Sequence, residues 1–74
     1  DIESNMTYIL REQNEKNITL CVHPYIAAFI KKGMVSLQWK WFFKFGQWVK
    51  VREASSYHLT EFHFLSAKDE EIKL

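Results

Sequence analysis

The run MVSLQWKWFFKFGQWVKV, residues 34–51, constrains this chain more than any other stretch. It sets Trp39, Trp41, Phe42, Phe43, Phe45 and Trp48 among Lys40, Lys44 and Lys50, with no acid between them. So many large rings need a core to fill or a partner to meet. As a strand, Leu37, Trp39, Trp41, Phe43 and Phe45 share one face, opposite Gln38, Lys40 and Lys44, and Gly46-Gln47 makes a two-residue hairpin turn. As a helix, at about 100° per residue, Val35, Trp39, Phe42 and Phe43 form one apolar group. Met34, Leu37, Trp41 and Phe45 then form a second, and Ser36, Lys40 and Lys44 a narrow polar stripe. Alternation and aromatic content favour the hairpin. The length, the position of Ser36 and the stop at Gly46 suit the helix.

The flanks read more simply. Ile2, Met6, Ile9 and Leu10 make one apolar stripe, which predicts a helix over residues 2–15 with Glu3 near its start, Arg11 later and Asn17 as a C-terminal cap. ITLCVH, residues 18–23, alternates and predicts a strand with one buried face, Ile18, Leu20 and Val22 inward and Thr19, Cys21 and His23 outward. Pro24 opens a short helix carrying Ile26, Phe29 and Ile30, which two lysines and Gly33 close. QWVKVRE, residues 47–53, alternates with Val49 and Val51 inward. LTEFHFL, residues 59–65, is a further strand with Phe62 and Phe64 inward. Residues 1–66 form one domain on this reading, and residues 67–74, AKDEEIKL, a charged, frayed tail.

A length of 74 residues with 47% hydrophobic and 16% aromatic content is too apolar for a disordered segment and sits near the lower limit for a self-sufficient core. The net charge of +1 conceals a division. Residues 1–30 carry −2; residues 31–52 carry five lysines and Arg52 with no acid, +6; residues 53–74 carry −3. Such a basic centre marks a local positive patch. The single Cys21 excludes a disulfide framework and a cysteine-rich zinc site, and suits a reducing cytoplasm. No apolar run reaches the roughly 18–20 residues of a membrane span, and no signal peptide is present. His23, His58 and His63 lack metal-ligand spacing, and two glycines are too few for a phosphate loop. Asp69, Glu70 and Glu71 lie in the tail, a poor place for a preorganised acid–base pair. Catalysis within this segment is not expected. The start at Asp1 rather than Met points to a piece of a larger protein.

ITLCVHPYIAAFIKKG, SLQWKWFFKFGQWVKV and YHLTEFHF together resemble the small C-terminal domain of ribonuclease E/G family endoribonucleases, the ribonuclease G-like sequences of the Bacteroidetes type in particular. The resemblance covers about residues 3–66, with His23, Pro24, Tyr25, Ala27 and Ala28 as its most specific element. It implies a parent that cleaves single-stranded RNA in RNA processing, with magnesium held by aspartates and an S1 module, all upstream of this chain. In some members it also implies a cysteine-held zinc link between protomers. None of those motifs occurs here, so no catalytic or metal residue is carried over and no cofactor is expected in this segment. In relatives the part aligned with residues 35–45 is helical, which turns the expectation there from hairpin to helix.

The expected fold is therefore α+β, a small three-stranded sheet with helices packed on one face in the order α-β-α-α-β-β. A hairpin over residues 37–52 is the alternative. The opposite face would carry Thr19, Cys21, His23, Trp48, Lys50, Arg52, Glu61 and His63. If residues 35–45 are helical, Trp39 and Trp41 lie about 200° apart. Trp39 is then expected in the core beside Val35, Phe42 and Phe43, and Trp41, with Leu37 and Phe45, toward a partner. The candidate contact residues are Lys40, Trp41, Lys44, Trp48, Lys50, Arg52 and His63. The expected role is a non-catalytic domain for assembly or interdomain docking, the partner being the rest of the parent nuclease or another protomer. The alternative is an autonomous module that binds single-stranded RNA.

Overall fold

A computed structural model describes residues 1–34 and 36–73. The chain begins with a helix, α1 (Ile2–Thr7), which Asp1 caps by accepting the Ser4 N–H at 2.8 Å. It continues without a break into a π-helical turn, Tyr8–Glu12, closed by the Gln13 N–H donating to the Tyr8 carbonyl at 3.1 Å. The helix stops short of residue 15 because its apolar stripe ends at Leu10. Asn14 then turns left-handed at φ 59°, and so does Asn17 at φ 56°. Asn17 does not cap the helix. Its N–H donates to Gln47 Oε1 at 3.2 Å, at the entry to the first strand.

Strand β1 (Thr19–Val22) is the middle of the sheet, parallel to β2 (Lys50–Glu53) and antiparallel to β3 (Phe62–Leu65), in the order β2-β1-β3. The fold is the expected small α+β domain with a mixed three-stranded sheet. Between β1 and β2 run α2 (Pro24–Ile30) and α3 (Leu37–Phe45). Residues 37–45 are thus helical, and the topology explains why. β2 pairs in parallel with β1, and a parallel pair needs a crossover rather than a tight hairpin. Gly46 ends α3 in the left-handed region, φ 74°, with its N–H on the Phe42 carbonyl at 2.8 Å.

Leu20, Val22, Val51, Phe62 and Phe64 share the sheet face that the helices cover, and Met6, Ile9, Leu10, Ala27, Ile30 and Trp41 close the core over it. The two α3 tryptophans are exchanged relative to expectation. Trp41 is 5% exposed and belongs to the core, whereas Trp39 is 44% exposed. The buried side of α3 is the Leu37, Gln38, Trp41 and Phe45 side, so the second apolar group of the helical reading, without the exposed Met34, joins the core and the first does not. Val35, expected beside Trp39, lies outside the described residues.

Two further expectations change. All four β1 residues are buried, not alternate ones. The far face of Cys21 is roofed, because its ladder neighbours there are Arg52 and His63. Arg52 reaches Asp69 at 3.4 Å, and the Tyr57 ring sits 5.1 Å from that of His63. The tail expected to fray instead turns back. Ser66 N–H donates to the Glu70 carbonyl at 2.7 Å, Ile72 N–H donates to the Phe64 carbonyl at 2.8 Å, and Ile72 packs against the core. An apolar residue seven places beyond the last strand, Ile72, gives the tail something to bury, which its charge content obscures.

Candidate functional site: an aromatic ledge beside a basic groove

Once Trp41 fills the core, the outer side of α3 carries Trp39, Phe42 and Phe43 as a continuous ledge. Trp48, in the short link before β2, closes it: its ring lies 4.9 Å from Trp39 at 70°, and 6.2 Å from Phe42. Trp39 also meets Phe42 edge-on at 5.8 Å. These edge-to-face contacts hold the rings in place. The ledge nevertheless stays open to solvent, with Trp48 40% and Phe43 73% exposed. Single exposed rings are ordinary on a surface, but a joined group of them on a domain this small marks a contact site.

Next to the ledge a groove with a volume of about 450 Å³ runs along the β2 edge of the sheet. Lys31 enters it from the C-terminal cap of α2, Lys50, Val51 and Arg52 from β2, Thr19 from β1, and Gln38 from α3. Trp48 lines it as well, so ledge and groove share one residue. Three cations meet here and, among the described residues, no carboxylate lines the walls. Gln38 is buried because its Nε2 donates to the Val49 carbonyl at 2.9 Å, which ties α3 to the start of β2.

Of the seven residues expected to make contacts, Trp48, Lys50 and Arg52 come together here. Trp48 precedes β2 rather than lying in it, and leans on α3 instead of standing on the sheet. Trp41 is removed from the surface altogether. Lys40 is exposed on α3 but outside the groove. Lys44 points the other way, pairing with Glu3 of α1 and lying over the Phe45 ring at 5.5 Å. That ammonium, through its hydrogen bond and its charge, holds the Glu3 carboxyl below its ordinary range.

His63 is on the far strand. Its Nε2 lies 3.0 Å from Glu61 Oε2 and its Nδ1 3.2 Å from Glu71 Oε2. Both nitrogens face carboxylate oxygens, so the arrangement favours the imidazolium, which donates from both. The hydrogen bond to Glu61 raises the imidazole above its ordinary range and draws Glu61 below its own. His63 is consumed by this pairing and does not extend the basic surface.

The His23-Pro24 element is a strand-to-helix junction. His23 takes the extended backbone favoured before proline, φ −57° and ψ 144°, and its Nδ1 accepts the Tyr25 N–H at 3.1 Å as the cap of α2. Ala27 is fully buried against the core, while Tyr25 and Ala28 are exposed. Sequence reasoning missed Trp39 and Phe43 in the ledge and Thr19, Lys31 and Gln38 in the groove. The charge block over residues 31–52 already contained Lys31, but nothing in the order of residues placed it beside β2.

Among the described residues, no group of three or more His, Cys, Asp or Glu side chains is placed to hold a metal ion. No helix described is long and apolar enough to cross a membrane. Comparison with protein-family models, with curated proteins and with solved structures returned no match.

Proposed function

We propose that this chain is the non-catalytic C-terminal domain of a cytoplasmic, single-strand-specific endoribonuclease, and that it docks another domain or protomer of that enzyme through the aromatic ledge. The open group of Trp39, Phe43 and Trp48 carries the reading. Packed rings with low conformational freedom are what a protein interface buries at its centre. The resemblance of residues 3–66 to the ribonuclease E/G family supports this choice of parent. Titrating the chain with the remainder of the parent nuclease, with sedimentation of the chain alone across a concentration series, tests it. Association should shift the tryptophan emission to the blue and be lost in a Trp39→Ser, Phe43→Ser variant. A chain that stays monomeric and ignores the parent refutes the docking role.

A second reading, contact with single-stranded RNA, is supported by the groove. Three cations beside a partly exposed tryptophan combine charge neutralisation with a stacking platform. Salt-dependent binding of a short unstructured RNA tests this reading, and no binding at low ionic strength refutes it.

A further inference from the structure

The walls of the groove say more about its occupant than its charge does. β2 is an edge strand, and in its parallel ladder the Lys50 N–H donates to the Ile18 carbonyl at 3.3 Å and the Ala54 N–H to the Val22 carbonyl at 2.8 Å. Residues 50, 52 and 54 therefore spend their backbone groups on β1, and those of Val51 and Glu53 point outward. The next outward group along the strand, the Val49 carbonyl, is already taken by Gln38. The free edge is two residues long, too short for an added peptide strand, whose usual length is about 5–6 residues. The flanking Lys50 and Arg52 are of the kind that discourage strand addition.

A polyanion fits the same features. Lys50 and Arg52 are two residues apart on one face of β2, roughly 7 Å along the strand, so they present two successive positive charges rather than one focus. Lys31, at the end of α2, lines the same groove across the β2 edge. Arg52 gives one nitrogen to Asp69 at 3.4 Å, with both side chains more than half exposed, and a guanidinium has further N–H donors to offer. Thr19, the ladder partner of Lys50, also lines the groove, and the outward register of Val51 turns its backbone N–H toward the strand edge. At the end of this row stands Trp48, which continues into the ledge. A single strand of nucleic acid uses both parts of this surface, the cations on its phosphates and the ring under a base.

We propose that the β2-edge groove holds the phosphodiester backbone of single-stranded RNA, with Lys31, Lys50 and Arg52 on the phosphates and a base stacked on Trp48. The inference rests on the RNA reading above and adds where the strand lies. Lys40 and Lys44 have no part in it.

The test is a fluorescence-anisotropy titration of the chain with a labelled oligouridylate at several salt concentrations. Wild type should bind at low salt. Lys50→Ala with Arg52→Ala should weaken binding roughly tenfold or more and flatten the logarithmic salt dependence by about 1.4, and Lys31→Ala should flatten it by about 0.7. Trp48→Ala should lower affinity at an unchanged slope, because stacking releases no counterions. Lys40→Ala and Lys44→Ala should match wild type. Should loss of the Asp69 contact unfold the double variant, Lys31→Ala and Lys50→Gln carry the comparison alone, each checked by circular dichroism. RNA binding lost equally in the Lys40 and Lys44 variants overturns the groove while leaving the RNA reading standing. No binding by wild type overturns both. An oligoglutamate of equal charge that binds as well, with the same dependence on Trp48, overturns RNA as the occupant.

Discussion

Replacing Trp41 by alanine should remove most of the stability of this domain, and replacing Trp39 should not. A tryptophan buries about 150–250 Å² on folding, worth about 4–6 kcal/mol at 25 cal/mol per Å². Trp41 is 5% exposed, so nearly all of that is at stake. Measured losses for such truncations run about 3–5 kcal/mol. A chain of 74 residues has about 4–11 kcal/mol in total. Trp39, 44% exposed and leaning on other surface rings, should lose about half as much. A third variant separates packing from polarity. The Trp41 indole N–H is buried without a well-formed hydrogen bond among the described residues, and it contributes, after the larger pairing with Lys44, to holding the Glu3 carboxyl below its ordinary range. Trp41→Phe removes that N–H along with part of the ring but keeps most of the apolar contact, so it should cost less than Trp41→Ala. Urea denaturation followed by far-UV circular dichroism avoids the changed tryptophan signal. A larger loss for Trp39→Ala than for Trp41→Ala would refute this placement of α3 on the sheet.

Three further outcomes are expected. The His63 cluster should stabilise the fold most between the ordinary carboxylate value of 4.5 and the ordinary imidazole value of 6.5. The raised imidazole loses its share as pH rises through its folded value, and the lowered Glu61 loses its share as pH falls through its own. Melting temperature against pH should therefore carry a component that His63→Gln abolishes; an unchanged profile in that variant would show the cluster to be inert. Cys21 is buried, and burial pushes its thiol up, so it should resist alkylation in the native chain and react once the chain is unfolded in urea. Rapid native labelling would contradict the roof over β1. Finally, His23→Ala should cost about 1 kcal/mol through loss of the α2 cap, and His23→Asn should restore it, since asparagine caps at least as well. Failure of asparagine to rescue would mean that His23 does more than hold the junction.

Much of the fold was legible in the residues because it depends on local period and local chemistry. The stripe of Ile2, Met6, Ile9 and Leu10, the alternation of Ile18 to His23, and Pro24 at a helix start each report on a few neighbouring positions. The aromatic run was not legible in that way, because its rings satisfy both a strand period and a helix period. Alternation alone pointed to the hairpin that the structure does not contain. Two of the three cations of the groove were legible from their alternation on one strand, Lys50 and Arg52. Lys31 and Gln38 were not, since they reach β2 only through the crossover.

Composition and local pattern set the inventory: a folded α+β unit rich in aromatic rings, basic in its middle, with helix and strand segments near their true places. Tertiary structure alone decided the pairing of β1 with β2 in parallel, and with it which side of α3 is inside. Trp39 and Trp41 are equally apolar, so no local rule ranks them. Trp41 went to the core because it shares a side of α3 with Leu37 and Phe45, and that whole side packs over the sheet when the helix becomes part of the crossover between two parallel strands. The ledge of Trp39, Phe43 and Trp48, and the groove beside it, are what that choice left facing the solvent.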